Sequence, residues 1–198
     1  MKSIPSIDTA DKYVGYLNRI AQIDPARRSA LRRGLGRPVE DPMVRRAHAV
    51  VVPWLPVGSG RAVESAYYSV AALVASRPAE RQEPTKPASP PGEEKTPERP
   101  TTSIGGTLGA AVREGKLNPD TVEARLHLLC RQDVTGLHRQ LPGLVRHLTS
   151  KEITPDWGRL LVDLSRWGSR RDLVTKRWLQ DYYRAAKPMT DNSESEVQ

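Results

Sequence analysis

Two adjacent arginines stand where a helix start disfavours positive charge. Residues 154–186 read as two helices joined at Gly168-Ser169, and with Ser169 as the N-cap, Arg170 and Arg171 fall in the first turn of the second helix. A cation there costs about 0.3–1 kcal/mol because the helix macrodipole is already positive at that end. The free N–H groups of a first turn also bind anions. A neighbouring carboxylate and solvent could offset the charge instead, so this site alone leaves both readings open.

The same arrangement recurs near the N-terminus. Asp24 and Pro25 are a favoured cap and first helical residue, and the short helix that they start has arginines in its first turn. Its body holds four arginines and a single large apolar residue; the arginines are Arg27, Arg28, Arg32 and Arg33. The recurrence favours an anionic ligand over solvated side chains.

Further arginines lie on predicted helices without belonging to their apolar stripes. Arg61 starts a helix, with Glu64 one turn on as a possible partner, so a structural role for Arg61 stays open. Arg139 and Arg146 are seven residues apart and share one side of a helix at a separation of about 10.5 Å.

Two other basic positions belong to one predicted helix. Arg125 points away from the apolar stripe of that helix. Arg131 lies near its end, where it could instead satisfy the helix dipole.

Catalytic and metal-binding patterns are missing from the sequence. The gaps of 11 and 9 residues between His127, His138 and His147 match no usual ligand spacing. Cys130 is the lone cysteine and fits a small core residue. No phosphate loop, nucleophile elbow or carboxylate cluster for metal ions appears. We therefore expect no enzyme, no cofactor and no small-molecule substrate.

Composition bounds the class of protein. The chain of 198 residues has a net charge of +8 and no phenylalanine, and 23 of its 31 basic residues are arginine. Residues 1–77 and 101–187 each carry +6, so the positive charge belongs to the folded parts, which points to nucleic acid or an acidic partner. No run is long and apolar enough for a membrane span or a signal peptide, so we expect a cytoplasmic protein.

Hydrophobic periodicity predicts an all-α fold of about nine helices. Residues 78–102 contain seven prolines and no Leu, Ile, Val or aromatic residue, which predicts a disordered insert. This insert would separate an N-terminal helical lobe (1–77) from a C-terminal one (103–187), and the acidic tail 188–198 should also be disordered. The most regular stripe, with apolar residues at i, i+3, i+4 and i+7, predicts a core hairpin within 154–186.

That hairpin also resembles the C-terminal part of the CasB family, through Asp156-Trp157, Leu160-Leu161, Leu164, Trp167-Gly168, Arg177-Trp178 and Asp181-Tyr182-Tyr183. Shorter similarities lie at Ala30–Gly34, Glu64–Val74 and Ser103–Leu108. CasB is the small subunit of Cascade, the type I-E CRISPR surveillance complex. The resemblance implies a two-lobed helical protein without a catalytic role, present in two copies beside the backbone subunits, the large subunit and the guide RNA. It also implies that the protein stabilises the R-loop by holding the displaced non-target DNA strand.

The resemblance carries site residues with it: Arg32, Arg33, Arg61, Arg125, Arg131, Arg146 and Arg170 match basic positions of the family's nucleic-acid-facing surface, with Arg171 adjacent. Family members often have a basic residue where this chain has Gly106, so Arg113 or Lys116 takes over that contact or it is missing. The rival hypothesis is an adaptor whose basic faces dock onto acidic neighbouring subunits.

Overall fold

The computed structural model describes residues 4–78 and 101–187, and in these ranges the fold is all-α, as predicted. The α-helices are α1 (Ile7–Ile23), α2 (Pro25–Arg32), α3 (His48–Val51), α4 (Arg61–Ser76), α5 (Ile104–Arg113), α6 (Pro119–Cys130), α7 (Val134–Ser150) and α8 (Trp157–Ala186). Short 3₁₀ helices flank α3 at Pro42–Ala47 and Val52–Trp54. The predicted acidic tail and almost all of the predicted insert lie outside the described residues.

Side-chain caps start most of these helices. Asp24 accepts a hydrogen bond from the Arg27 N–H at 2.9 Å, which confirms the predicted start of α2. The predicted start of the hairpin at Thr154 is two residues early, because Asp156 is the cap and accepts from the Arg159 N–H at 2.9 Å. Local residue types thus identify the helix starts to within a turn.

The helix α8 folds back on itself in the middle. Arg170 alone among its residues has non-helical angles, φ −140° and ψ 36°, and it separates two antiparallel halves. The ring centroids of Trp167 and Trp178 are 5.0 Å apart across the bend, whereas eleven residues of straight helix span about 16 Å. The predicted hairpin is therefore present, but it turns at Arg170 rather than at Gly168-Ser169, and Arg170 is not in a helical first turn.

A fully buried carboxylate joins the two halves of α8. Asp163, on the first half, accepts hydrogen bonds from the Trp178 Nε1–H at 2.7 Å and from the Arg177 guanidinium, both on the second half. Arg159 lies one turn before it, with Nε 3.0 Å from the same carboxylate. Because an unpaired buried charge is strongly disfavoured, these partners make the bend the favoured state of this segment.

The α8 hairpin forms the centre of a single hydrophobic core. Helices from both sides of residues 79–100 contribute to it, including α1, α4, α5 and α7. The sequence places Tyr13, Tyr16, Leu17 and Ile20 of α1 at i, i+3, i+4 and i+7, which predicts a core-facing stripe. Tyr16 is half-buried, and the other three are buried. The predicted division into two lobes stays a prediction.

Glycines let α5 approach the second half of α8 at backbone distance. A Cβ placed on Gly105 would overlap the carbonyl oxygen of Trp178, and one on Gly109 would overlap that of Tyr182. Glycine is unfavourable within a helix by about 1 kcal/mol against alanine. In α5 this loss of helix stability is offset by close packing, because any side chain at these positions would push α5 and α8 apart.

We predict that Gly105→Ala destabilises the protein by about 1–3 kcal/mol or more, because the new methyl group overlaps backbone that cannot move alone. Gly143→Ala in α7 is the matched control. A Cβ there has nothing within 4 Å, so alanine should stabilise by up to about 1 kcal/mol. Denaturant unfolding of the two variants measures both, and losses of equal size would contradict the packing argument.

We predict that Asp163→Ala costs about 3–5 kcal/mol, because it leaves two guanidinium groups and an indole N–H without their buried acceptor. Asp8→Ala removes an exposed carboxylate paired with Lys12 at 2.8 Å and should change the unfolding midpoint little. A midpoint for Asp163→Ala as close to wild type as that of Asp8→Ala would contradict the role of Asp163.

Candidate nucleic-acid interface

The largest cavity bordered by the predicted site residues lies between α2, the end of α4 and α7. It has a volume of about 690 Å³, and three of the predicted arginines line it: Arg32 and Arg33 from the end of α2, and Arg146 from α7. All three are exposed. We call this cavity the arginine groove. It brings together residues that are more than a hundred positions apart in the sequence.

The floor of the arginine groove is apolar and its rim is basic. Leu35, Leu73, Pro142 and Val145 supply the apolar surface, and no acidic side chain of the described residues lines the cavity. The arginines therefore act over a low-dielectric floor without a competing carboxylate, which strengthens their attraction for an anion.

Two further predicted arginines border a smaller cleft. Arg61, at the start of α4, and Arg139, on α7, line it together with the side chain of His138. We call it the His138 cleft. Because Arg139 and Arg146 both project from α7, the two cavities are neighbours along one helix. Arg139 and Arg146, which were predicted to share one side of this helix, thus border two cavities that both adjoin α7.

The first-turn arginines of α2 have partners within the chain. Arg27 pairs with Asp24 at 3.2 Å. Arg28 donates to the carbonyl oxygens of Ala75 at 3.2 Å and Arg77 at 2.6 Å, just past the last turn of α4. The positive group thus lies at the negative end of the neighbouring helix dipole. The unfavourable helix start is therefore offset inside the molecule, and neither residue lines the two cavities.

The remaining predicted arginines, Arg125, Arg131, Arg170 and Arg171, are exposed and line neither cavity. Arg131 caps the end of α6, and Arg170 forms the bend of α8. Burial raises the pKa of the Cys130 thiol to about 11, and the charge of Arg171 partly opposes this rise. Cys130 is a half-buried residue packed against the core, as expected.

Sequence reasoning missed Arg77 as a constituent of the groove. Only 9% of this residue is exposed, and its guanidinium lies 5.9 Å from the ring centroid of Trp157 while it lines the arginine groove. No sequence signal identifies it, because it stands just after a helix end beside a proline-rich stretch.

Neither a metal site nor a membrane span emerges from the described structure. Within residues 4–78 and 101–187, no group of three or more potential metal-ligating side chains forms. Among the helices of the same ranges, none has the length and hydropathy needed to cross a bilayer.

Comparison with known proteins fits this architecture. The family described as CRISPR-associated protein Cse2 matches residues 27–183. A protein of that name from Thermus thermophilus is 30% identical over 181 residues, covering 88% of this chain and 90% of the relative. The chain belongs to the Cse2 family. The CasB resemblance is thereby confirmed, since solved structures called CasB are among its structural relatives.

Solved structures agree with the family assignment. A chain of a CRISPR RNA-guided surveillance complex is 40% identical, with a TM-score of 0.77 and coverage of 91% of this chain and 94% of that one. CasB from M. ruber is 25% identical, with a TM-score of 0.65 and coverage of 89% and 93%. The Cse2 fold therefore extends over nearly the whole described chain.

We predict that Arg28→Ala lowers the free energy of unfolding by about 1.5–3 kcal/mol, because charge-assisted hydrogen bonds to buried or half-buried carbonyls are lost. Arg32→Ala, one turn later and exposed, should leave stability within about 0.5 kcal/mol of wild type. Thermal and urea unfolding of both variants test the distinction. Equal stability of the two variants would show that Arg28 has no structural role.

Proposed function

We propose that this protein is the non-catalytic small subunit of a type I-E CRISPR surveillance complex, where it holds nucleic-acid backbone and stabilises the R-loop in antiviral defence. The single observation that carries the proposal is the arginine groove, in which Arg32, Arg33 and Arg146 surround a cavity without acidic lining. Membership of the family and similarity to a chain of an RNA-guided surveillance complex support it.

The chemistry of the groove suits a sugar–phosphate backbone better than base reading. Guanidinium groups offer planar forks of donors that match phosphate oxygens. The exposed arginines at the groove can contact phosphates of one strand, whereas its apolar residues cannot hydrogen-bond to bases. The hydroxyl groups of its other lining residues, Ser29, Ser76, Thr149 and Ser150, can both donate and accept and so fit any base. Sequence specificity in such complexes comes from guide pairing, so a subunit that follows the backbone adds stability without selecting sequence.

The displaced non-target DNA strand is the ligand that we assign to the groove, with the guide RNA region as a further contact. A displaced strand is unpaired and must be kept from re-annealing, and a positive groove of this kind lowers its free energy in the open state. The other subunits and a second copy of this chain complete the assembly in this proposal.

An adaptor role is the second candidate. The exposed arginines outside the two cavities, Arg125, Arg131, Arg170 and Arg171, offer charge for acidic neighbouring subunits. Crosslinking a photoreactive displaced strand within the assembled complex separates the candidates. Crosslinks to the groove support strand binding, and crosslinks only between subunits support the adaptor.

We predict that the combined variant Arg32→Ala, Arg33→Ala and Arg146→Ala shortens the R-loop lifetime in a complex reconstituted with guide RNA and double-stranded target. Each lost contact to single-stranded phosphate should flatten the log–log salt dependence by about 0.7, so the slope should change by about 2. The measurement is R-loop decay in a competitor chase at several salt concentrations.

The control variant Lys12→Ala, Arg19→Ala and Arg45→Ala removes the same charge from exposed positions that line neither cavity. It should leave the slope nearly unchanged. If both triple variants change lifetime and slope alike, only net charge matters and the groove is not the binding site.

A further inference from the structure

One buried side chain near the groove has polar atoms that no group of the described residues satisfies. His138 of α7 is 7% exposed, and neither of its ring nitrogens has a hydrogen-bond partner within residues 4–78 and 101–187. Leaving a buried polar group unpaired costs about 1–3 kcal/mol, and native proteins rarely retain one without a reason. The proposed contacts of Arg32, Arg33 and Arg146 do not involve it.

The surroundings of His138 select the charge of a ligand. Three guanidinium groups and one carboxylate line the cleft, those of Arg37, Arg61, Arg139 and Glu40. Arg37 is already paired with Asp41 at 2.8 Å, which leaves Arg61 and Arg139 as the cations at this mouth with no ion pair to an acidic side chain of the described structure. Ser65, Ser69 and Thr135 add hydroxyl-bearing side chains to the lining, and Gly36, Pro38 and Val39 complete it. The site thus offers donors and positive charge.

The size of the cleft selects the shape of the ligand. Its volume is about 30 Å³, which accommodates one or two water-sized atoms and not a nucleobase or a whole phosphate. A ligand must therefore insert a single oxygen atom while the rest of it stays at the mouth, within reach of the arginines. The cleft must open slightly for that oxygen to touch the ring nitrogens of His138, because they are buried from solvent in the free protein. A non-bridging oxygen of a phosphodiester has this shape.

We propose that the His138 cleft seats one backbone phosphate of the bound strand, with a non-bridging oxygen accepting a hydrogen bond from the imidazole N–H of His138 and Arg61 and Arg139 holding the remaining charge. This proposal rests on the function proposed above. It adds that one particular phosphate of the bound strand occupies the His138 cleft and so fixes the position of the strand along the protein.

His138 is neutral in the free protein and can still donate one hydrogen bond. Burial lowers the pKa of His138 to about 4, so the free protein holds a neutral imidazole with one N–H at physiological pH. A phosphate beside it raises that pKa. In the free protein, stability falls as the pH drops from about 6.5 to about 4, because only the unfolded chain takes up the proton there. His138→Leu removes this dependence.

The test uses the complex with guide RNA and a displaced strand that carries one neutral methylphosphonate linkage, moved position by position. In the wild type, one position should shorten the R-loop lifetime roughly tenfold, the worth of one charge-assisted hydrogen bond. His138→Leu should also shorten the lifetime on unmodified DNA, and methylphosphonate at that position should then have a smaller effect than in the wild type, because only the contacts of Arg61 and Arg139 remain to be lost. His138→Gln, which keeps a donor, should retain most of the wild-type lifetime.

Melting temperature separates binding from folding, because removing an unpaired buried group should leave the stability of His138→Leu unchanged or raised. A wild-type lifetime for His138→Leu, or unaltered sensitivity at every methylphosphonate position, overturns the phosphate seat. If the triple groove variant also keeps the wild-type lifetime, the proposed function fails as well. If only the groove variant loses lifetime, the function stands and the seat at His138 does not.

Discussion

The buried carboxylate of Asp163 is the constraint on which the rest of the structure depends. It stands between two antiparallel halves of one chain segment, accepts hydrogen bonds from the second half and forms an ion pair with Arg159 of the first. The first half of α8 contacts α1 and α4, where Gly158 meets Asp11 and Gly168 meets Ala62, while the second half contacts α5. Since α4 also packs against α7, the walls of both cavities are positioned through this hairpin.

The arginines divide into those that build the fold and those left available at its surface. Arg28, Arg159 and Arg177 have acceptors within the chain, which places their charge beside helix ends or a buried carboxylate. Arg32, Arg33 and Arg146 instead surround a cavity that contains no acidic group of the described residues. A high arginine content therefore serves two physical purposes, and only position in the fold distinguishes them.

Features encoded by local pattern could be predicted from the sequence, and features encoded by distant contacts could not. The helical class, the α1 stripe and the α8 hairpin follow from periodicity and capping residues. The glycines of α5 look unfavourable in isolation, because the backbone that they admit belongs to residues more than seventy positions later.

Arg28 illustrates the same limit within the site. Its position in the first turn of α2 predicts that it binds an anionic ligand. In the structure it donates instead to backbone carbonyl groups 47 and 49 residues further along the chain. Tertiary structure is likewise needed to bring distant arginines to the same cavity. Arg139 lines one cavity with Arg61, and Arg146 lines the other with Arg32 and Arg33. Charge composition predicts an anionic partner, but only packing shows which arginines surround one groove.

The two chain ends that border residues 79–100 are each fastened to the described fold. Arg28 holds the Arg77 carbonyl at 2.6 Å on one side, and the Thr102 N–H donates to Asp156 at 3.3 Å on the other. Contacts made by these flanking residues therefore hold the chain at the points where it leaves α4 and enters α5. It follows that α2 and the start of α8 set the distance between these two points.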